Sequence, residues 1–67
     1  MNITLNNRPE TIDADKLTIN ELLKHKNFTF RLLVIKINGQ LVKKDQYDVA
    51  TIVDGDVVVV MHLVSGG

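Results

Sequence analysis

The group with the clearest chemical potential in this 67-residue sequence is the backbone carboxylate of Gly67, which follows Gly66 at the C-terminal end. A terminal carboxylate has a pKa of about 3.3–3.7, so it is ionised at neutral pH and is a poor electrophile. Chemistry at this carbon therefore requires activation. Glycine lacks a Cβ, so both residues can enter a narrow channel and adopt φ angles closed to other residues.

Residues 64–67 form a predicted flexible tail behind an apolar run, and they comprise Val64, Ser65, Gly66 and Gly67. Fully extended, the tail spans about 13 Å, at roughly 3.3–3.6 Å per residue. We expect it to thread a partner's active site while the folded part stays outside. The alternative interpretation is a frayed terminus without function.

The remaining polar groups point to little chemistry of their own. His25 and His62 lack nearby carboxylates or thiols at a metal-binding spacing, so we predict no metal site. Asp54 and Asp56 flank a glycine, and a tight turn explains them better than a cation site. Because no pairing of a nucleophile with a base is evident, we expect that the chain is not an enzyme and binds no cofactor itself.

Composition narrows the class of protein. Eight basic and eight acidic residues leave a formal net charge of zero, which argues against binding to nucleic acid or to an anionic membrane surface. No apolar run approaches the roughly 20 residues of a membrane span, and no signal-type segment follows Met1. The sequence has no cysteine, and 45% of its residues are hydrophobic. We therefore expect one cytoplasmic domain over residues 1–67, monomeric when free and stabilised by packing.

The N-terminal part predicts a hairpin and then a helix. Residues 1–13 alternate as two strands around Asn6-Asn7, a pair that tolerates the positive φ angles of a tight turn. Pro9 places the second strand at a sheet edge, because it has no N–H to donate. Thr18 and Glu21 form a capping box for a helix over residues 18–26. Its apolar stripe consists of Ile19, Leu22 and Leu23.

The C-terminal part predicts three strands. Residues 33–37 alternate as a strand, and Asn38-Gly39 is a strong signal for a hairpin whose return strand begins at Leu41. Residues 43–48 suggest a short helical turn in which Tyr47 anchors to the core. After the turn at Asp54-Gly55-Asp56, residues 57–63 form an apolar final strand that suits the centre of a sheet.

Together these elements predict an α+β fold with a mixed five-stranded sheet and one helix packed on one face. With the last strand central and beside the first, this arrangement is the β-grasp, or ubiquitin-like, fold. Side chains alternate between faces along a strand. If Val58 and Val60 face the helix, then Val59 and Met61 face away, and Leu63 continues that surface. We interpret it as a partner-binding surface; simple strand propensity is the alternative.

The chain resembles the thiamine-pathway sulfur carrier (ThiS) family over essentially all of its length. Three features carry the resemblance: the segment 37–42 with Tyr47 soon after it, the turn of residues 53–56 before an apolar strand, and the terminal Gly66-Gly67. The sequence departs from the family pattern at Ser65, where relatives tend to carry Gly or Ala, and at Met61, where an aromatic residue is frequent.

The resemblance implies that this chain is a protein cosubstrate in the formation of the thiamine thiazole. A partner enzyme would adenylate the Gly67 carboxylate with ATP, and a sulfur donor such as a cysteine desulfurase would then allow its conversion to a thiocarboxylate. Thiazole synthase would receive the sulfur. The chain has no phosphate-cradling glycine-rich loop, so the ATP site is expected on the adenylating partner.

Three other functions remain compatible with the residues. A sulfur carrier for molybdopterin synthesis uses the same terminal chemistry. A ubiquitin-like modifier that is conjugated to target proteins also needs the diglycine, whereas a plain interaction module does not.

Overall fold

The computed structural model describes residues 1–28 and 33–62, and these residues form a β-grasp fold. The elements in chain order are β1 (Asn2–Leu5), β2 (Arg8–Thr11), β3 (Lys16–Thr18), α1 (Ile19–His25), β4 (Leu33–Ile37), β5 (Gln40–Val42), a 3-10 helix (Lys44–Gln46), β6 (Thr51–Val53) and β7 (Val57–His62). Five strands form one mixed sheet in the order β2-β1-β7-β4-β5, and α1 packs on one of its faces. The predicted fold class is confirmed.

The last described strand, β7, lies at the centre of the five-stranded sheet. It runs parallel to β1, with Leu5 beside Val58, and antiparallel to β4, with Ile35 beside Val60. The predicted central position next to the first strand is therefore confirmed. The strand that contains Pro9 lies at an edge of this sheet, as its missing N–H predicted.

Both predicted hairpins are present, and the two central residues of each turn have the left-handed backbone conformation. Asn6 and Asn7 have φ angles of 52° and 66°, while Asn38 and Gly39 have 51° and 83°. A two-residue hairpin turn of the primed type needs positive φ at both central positions, and Asn and Gly reach that region most easily. These two turns fix the register of β1 with β2 and of β4 with β5.

Helix α1 begins at its predicted capping box and lies within the predicted residues 18–26. The Glu21 N–H donates to Thr18 Oγ1 at 3.2 Å, and the Thr18 N–H donates to Glu21 Oε1 at 2.9 Å, which completes the capping box. Asn27 follows the helix with a φ of 57°. A half-exposed ion pair of 3.0 Å joins Lys26 Nζ to Glu10 Oε1 and so links the helix end to the edge strand β2.

A second, two-stranded sheet was not predicted. Strands β3 and β6 pair antiparallel, with Leu17 beside Ile52 and Thr18 beside Thr51. Each strand has three residues, which is too short for an alternation of apolar and polar residues to stand out from the sequence. The small sheet brings β6 to the start of α1, where the Ile19 N–H donates to the Ala50 carbonyl at 3.1 Å.

The core lies between the five-stranded sheet and α1. It comprises Ile3, Leu5, Ile12, Ile19, Leu22, Ile35, Val42, Ile52, Val58 and Val60. Tyr47 follows the 3-10 helix and packs against this core with part of its ring still exposed, as predicted. Within residues 1–28 and 33–62 no polar or charged residue is buried, so apolar packing is the main source of stability.

Replacing Leu22 with Ala should remove a large part of the free energy of unfolding. Leu22 is fully buried, and such a truncation costs about 2–5 kcal/mol in the free energy of unfolding. At about 0.05–0.15 kcal/mol per residue, the whole domain has roughly 3–10 kcal/mol available. Urea denaturation followed by circular dichroism measures the loss. Leu41→Ala removes the same atoms from a side chain that is 59% exposed and should change the stability by less than about 0.5 kcal/mol.

The pKa of Tyr47 is raised above its ordinary value of 10.0, because burial penalises the charged phenolate. The folded state therefore holds this proton more tightly than the unfolded state. It follows that the stability contributed by the neutral phenol is present below pH 10 and is lost as the pH rises through the folded pKa.

Tyr47 is the only tyrosine and there is no tryptophan, so ultraviolet absorbance of the phenolate reports its titration alone. The midpoint should lie above 10.0 in the folded protein and return to about 10 in concentrated urea. Equal midpoints in the two conditions would show that the ring is not held against the core.

Candidate functional site

The candidate site is built on β7, whose two faces have opposite surroundings. Val58 and Val60 are buried against the core, whereas Val59 is half-buried and Met61 is 47% exposed on the other face. Val57 is exposed on that same face. This alternation follows from the pleat of a strand that has a helix on one side only. Val59 and Met61 face away from the helix, as predicted.

Neighbouring strands widen this exposed surface. In the antiparallel pairing of β4 with β7, Val34 lies beside Met61 and Lys36 beside Val59. Leu41 lies beside Lys36 on β5 and is largely exposed. Because residues paired across strands project to the same face, they form one surface, which we call the open-face patch. Its apolar members are Val34, Leu41, Val57, Val59 and Met61.

Three members of the open-face patch were missed from the sequence: Val34, Leu41 and Val57. The signal for Leu41 was present, because the Asn38-Gly39 turn fixes the register between β4 and β5. Extending the inward and outward alternation across that register would have placed Leu41 on the same face as Met61. The polarity of Lys36, which lies between Leu41 and Val59, hid the continuity of this surface.

The start of β7 is held by side chains of two turns. Asn38 Oδ1 accepts the Val57 N–H at 2.8 Å, and the Asn38 N–H donates to the Val57 carbonyl at 2.7 Å. Asn38 Nδ2 also donates to Asp56 Oδ1 at 3.0 Å. The other oxygen of Asp56 accepts the Val53 N–H at 2.9 Å. The amide of Asn38 therefore ties the β4–β5 hairpin to the turn that opens β7.

The two carboxylates of the turn at residues 54–56 accept hydrogen bonds from residues around the turn. Asp54 Oδ1 accepts the Asn2 N–H at 2.6 Å, and Gly55 has a φ of 88°. Within the described part of the chain, no group of three or more His, Cys, Asp and Glu side chains could hold a metal ion. The interpretation of Asp54 and Asp56 as turn residues agrees with these contacts.

The farther half of β7 receives a side-chain contact from the first hairpin turn. The Asn6 N–H donates to the Val58 carbonyl at 3.0 Å, and Asn6 Oδ1 accepts the Val60 N–H at 2.8 Å. The Asn6-Asn7 pair was predicted only as a turn. Nothing in the sequence indicated that Asn6 would also contact the last strand, which is 54 residues away.

The residues predicted to carry the chemistry lie beyond the described part of β7. Leu63, Val64, Ser65, Gly66 and Gly67 are outside the described residues, so their roles stay predictions. The strand leading to them is described as far as His62.

Among the described residues, no helix is long and apolar enough to cross a membrane.

Comparison with known proteins places this architecture in a family. The model of the ThiS family matches residues 3–67. The crystal structure of the thiamine biosynthesis protein (ThiS) from Geobacter metallireducens is 32% identical, with a TM-score of 0.90 and full coverage of both chains. A solution structure of a thiamine biosynthesis protein from the same organism is also 32% identical, with a TM-score of 0.81, covering all of this chain and 88% of that one.

The search of curated proteins gave no significant match. The family match nevertheless includes all described strands of the β-grasp except the first residue of β1, and it extends through Gly66 and Gly67. The predicted resemblance is therefore confirmed: this chain belongs to the ThiS family.

Proposed function

We propose that this chain is a sulfur carrier protein of thiamine biosynthesis, which acts as a cosubstrate of other enzymes and not as a catalyst. The observation that carries this proposal is the ThiS family match, which runs from residue 3 through Gly67 on a β-grasp domain. The central strand β7, which has neighbouring strands on both edges, leads directly towards residues 63–67.

The proposed chemistry takes place at the Gly67 carboxylate. A carboxylate oxygen attacks the α-phosphate of ATP, which forms an acyl-adenylate and releases pyrophosphate. A sulfur nucleophile then attacks the acyl carbon and AMP leaves. Sulfide gives the thiocarboxylate directly, whereas the persulfide of a cysteine desulfurase gives an acyl disulfide, from which attack by a thiol releases the thiocarboxylate and leaves a disulfide. Activation is needed because an ionised carboxylate resists nucleophilic attack. Thiazole synthase takes up the sulfur in the last step.

The partner enzymes supply what this chain lacks. With no glycine-rich phosphate-binding loop in the sequence, the ATP site belongs to an adenylating enzyme of the ubiquitin-activating type. A cysteine desulfurase or a similar enzyme provides the sulfur. Because the activation consumes ATP, we place it in the cytoplasm. The tail residues Val64, Ser65 and Gly66 thread the partner's active site and hold Gly67 there.

The open-face patch is the proposed docking surface for the adenylating enzyme. It is apolar, it lies on the face opposite α1, and it includes Val59 and Met61 close to the point where residue 63 follows the strand. An exposed apolar face of this kind is a common mark of a protein interface. Methionine suits a surface that meets more than one partner, because its side chain is flexible and polarisable.

Incubation with ATP, the adenylating enzyme and a sulfur source should replace one oxygen of Gly67 by one sulfur. Mass spectrometry of the intact chain detects this change, and fragmentation places it at the terminal residue. A chain truncated after Ser65 is the control and should remain unmodified. An unchanged mass of the intact chain, with partners shown to be active on another carrier, would reject the proposal.

A pull-down from a cell lysate with a tagged form of this chain separates the alternative functions. Recovery of thiazole synthase with the tagged chain supports the thiamine role, whereas recovery of a molybdopterin synthase subunit supports the other carrier role. Isopeptide bonds from Gly67 to lysines of cellular proteins would indicate a ubiquitin-like modifier.

Replacing Met61 with Lys should weaken docking without unfolding the domain. A charge placed in an apolar interface has to be desolvated, and we expect the KM for this chain in the adenylation reaction to rise by roughly tenfold. ATP–pyrophosphate exchange at varied carrier concentrations measures it. Val49→Lys is the matched control, because Val49 is 72% exposed but lies in the turn after the 3-10 helix. Equal effects of the two variants would place the interface elsewhere.

A further inference from the structure

Asn6 occupies the point at which β7 loses one of its two neighbouring strands. On the side of β1, the parallel pairing covers Thr4 beside Val57 and Leu5 beside Val58. The chain then turns back into β2 through Asn6 and Asn7, so the main chain of β1 ends there. Beyond Val58, β4 remains beside β7 as far as His62. The second half of the strand would thus be supported by a neighbouring strand on one edge only.

The Asn6 side chain continues the ladder where the main chain of β1 stops. The Asn6 N–H donates to the Val58 carbonyl at 3.0 Å, and Asn6 Oδ1 accepts the next N–H on this edge, that of Val60, at 2.8 Å. Its amide oxygen therefore accepts the N–H that the main-chain carbonyl of Asn6 would accept if β1 continued as a strand. The contact is partly buried, so competition from water is reduced.

The backbone of Asn6 explains why a side chain can reach that position. Its φ of 52° lies in the left-handed region, which Asn, Asp and Gly tolerate best. The turn directs the chain away from β7, while the short amide side chain still reaches back to it. Asn7 has a similar φ of 66°, but within the described residues no hydrogen bond joins its side chain to β7. The two residues thus share a conformation and differ in this contact.

We infer that Asn6 is a positioning residue, which fixes the direction in which β7 delivers the reactive terminus to the adenylating enzyme. This inference rests on the proposed function. Val60 precedes Gly67 by seven residues, which span at most about 25 Å when extended. In the proposed complex the partner's channel holds these residues extended, so a displacement of the strand at Val60 is passed on to the carboxylate, and a misplacement of about 1 Å can already cost a large factor in rate.

Two substitutions separate the hydrogen bond from the turn. Asn6→Gly keeps the left-handed backbone accessible and removes the acceptor, whereas Asn6→Asp keeps both an acceptor oxygen and the tolerance for positive φ. Asn7→Gly is the matched control for any change in the flexibility of the turn. Each variant should retain the β-grasp fold, and a two-dimensional NMR spectrum verifies this before the other measurements.

Amide hydrogen exchange tests the contact without any partner. In Asn6→Gly, exchange of the Val60 amide should accelerate by about tenfold relative to that of Thr4, whose N–H donates to the Asp56 carbonyl on the same edge. Asn6→Asp and Asn7→Gly should leave the ratio near its original value. Equal acceleration at Val60 and Thr4 would mean that Asn6→Gly weakens the whole fold, and it would overturn the inference.

Adenylation kinetics test the positioning role. Asn6→Gly should lower kcat by roughly tenfold and leave the KM for the carrier nearly unchanged, because the docking face is intact while the carboxylate is misdirected. Asn6→Asp should have a kcat close to that of the unaltered chain, because it keeps the acceptor oxygen. An unchanged kcat in Asn6→Gly would overturn the positioning role. If the unaltered chain is not adenylated at all, the proposed function fails and the positioning role fails with it, while the exchange ratio still decides whether Asn6 holds Val60.

Discussion

The pairing of β7 along both of its edges is the interaction on which the rest of the structure depends. β1 holds one edge of the strand and β4 holds the other, so the N-terminal hairpin and the second hairpin are joined only through it within the five-stranded sheet. Its side chains Val58 and Val60 lie in the core beneath α1. Neither hairpin alone would be expected to be stable in water, because an isolated two-stranded hairpin is marginal. β7, the last described strand in chain order, therefore joins the two hairpins into one sheet.

This dependence links stability to the proposed function. The strand that leads to Gly66 and Gly67 is held by main-chain bonds on both edges as far as Val58. Asn38 holds its start and Asn6 holds it at Val60, and β4 continues beside it to His62. A terminus attached to an edge strand could fray together with that strand. Attachment to a central strand instead gives the proposed reactive group a base that has a neighbouring strand on both edges as far as Val58.

The sequence predicted the main sheet well because its signals are local. Asn-Asn and Asn-Gly turns, a capping box and the alternation along residues 33–37 each determine a few neighbouring residues, and the structure has all of them. The features that the sequence did not predict depend on contacts between residues far apart in the chain. The β3–β6 pair and the bond from Asn6 to Val60 depend on residues that are brought together only by the completed fold. The open-face patch was predicted in part, because its outline needs the register across three strands.

The period of two along β7 gives one strand two tasks, and the two faces contribute differently to the free energy. Burial of Val58 and Val60 stabilises the domain, at about 25 cal/mol for each Å² of apolar surface removed from water. Val57, Val59 and Met61 keep much of their surface in water when the chain is free, so that part of the hydrophobic free energy remains available for association. A chain of 67 residues buries a smaller fraction of its surface on folding than a larger domain does, so its free energy of unfolding is limited. Apolar side chains outside the core do not add to it. That such side chains nevertheless form one continuous surface, directly before the residues that carry the proposed chemistry, is the strongest physical reason to regard it as an interface.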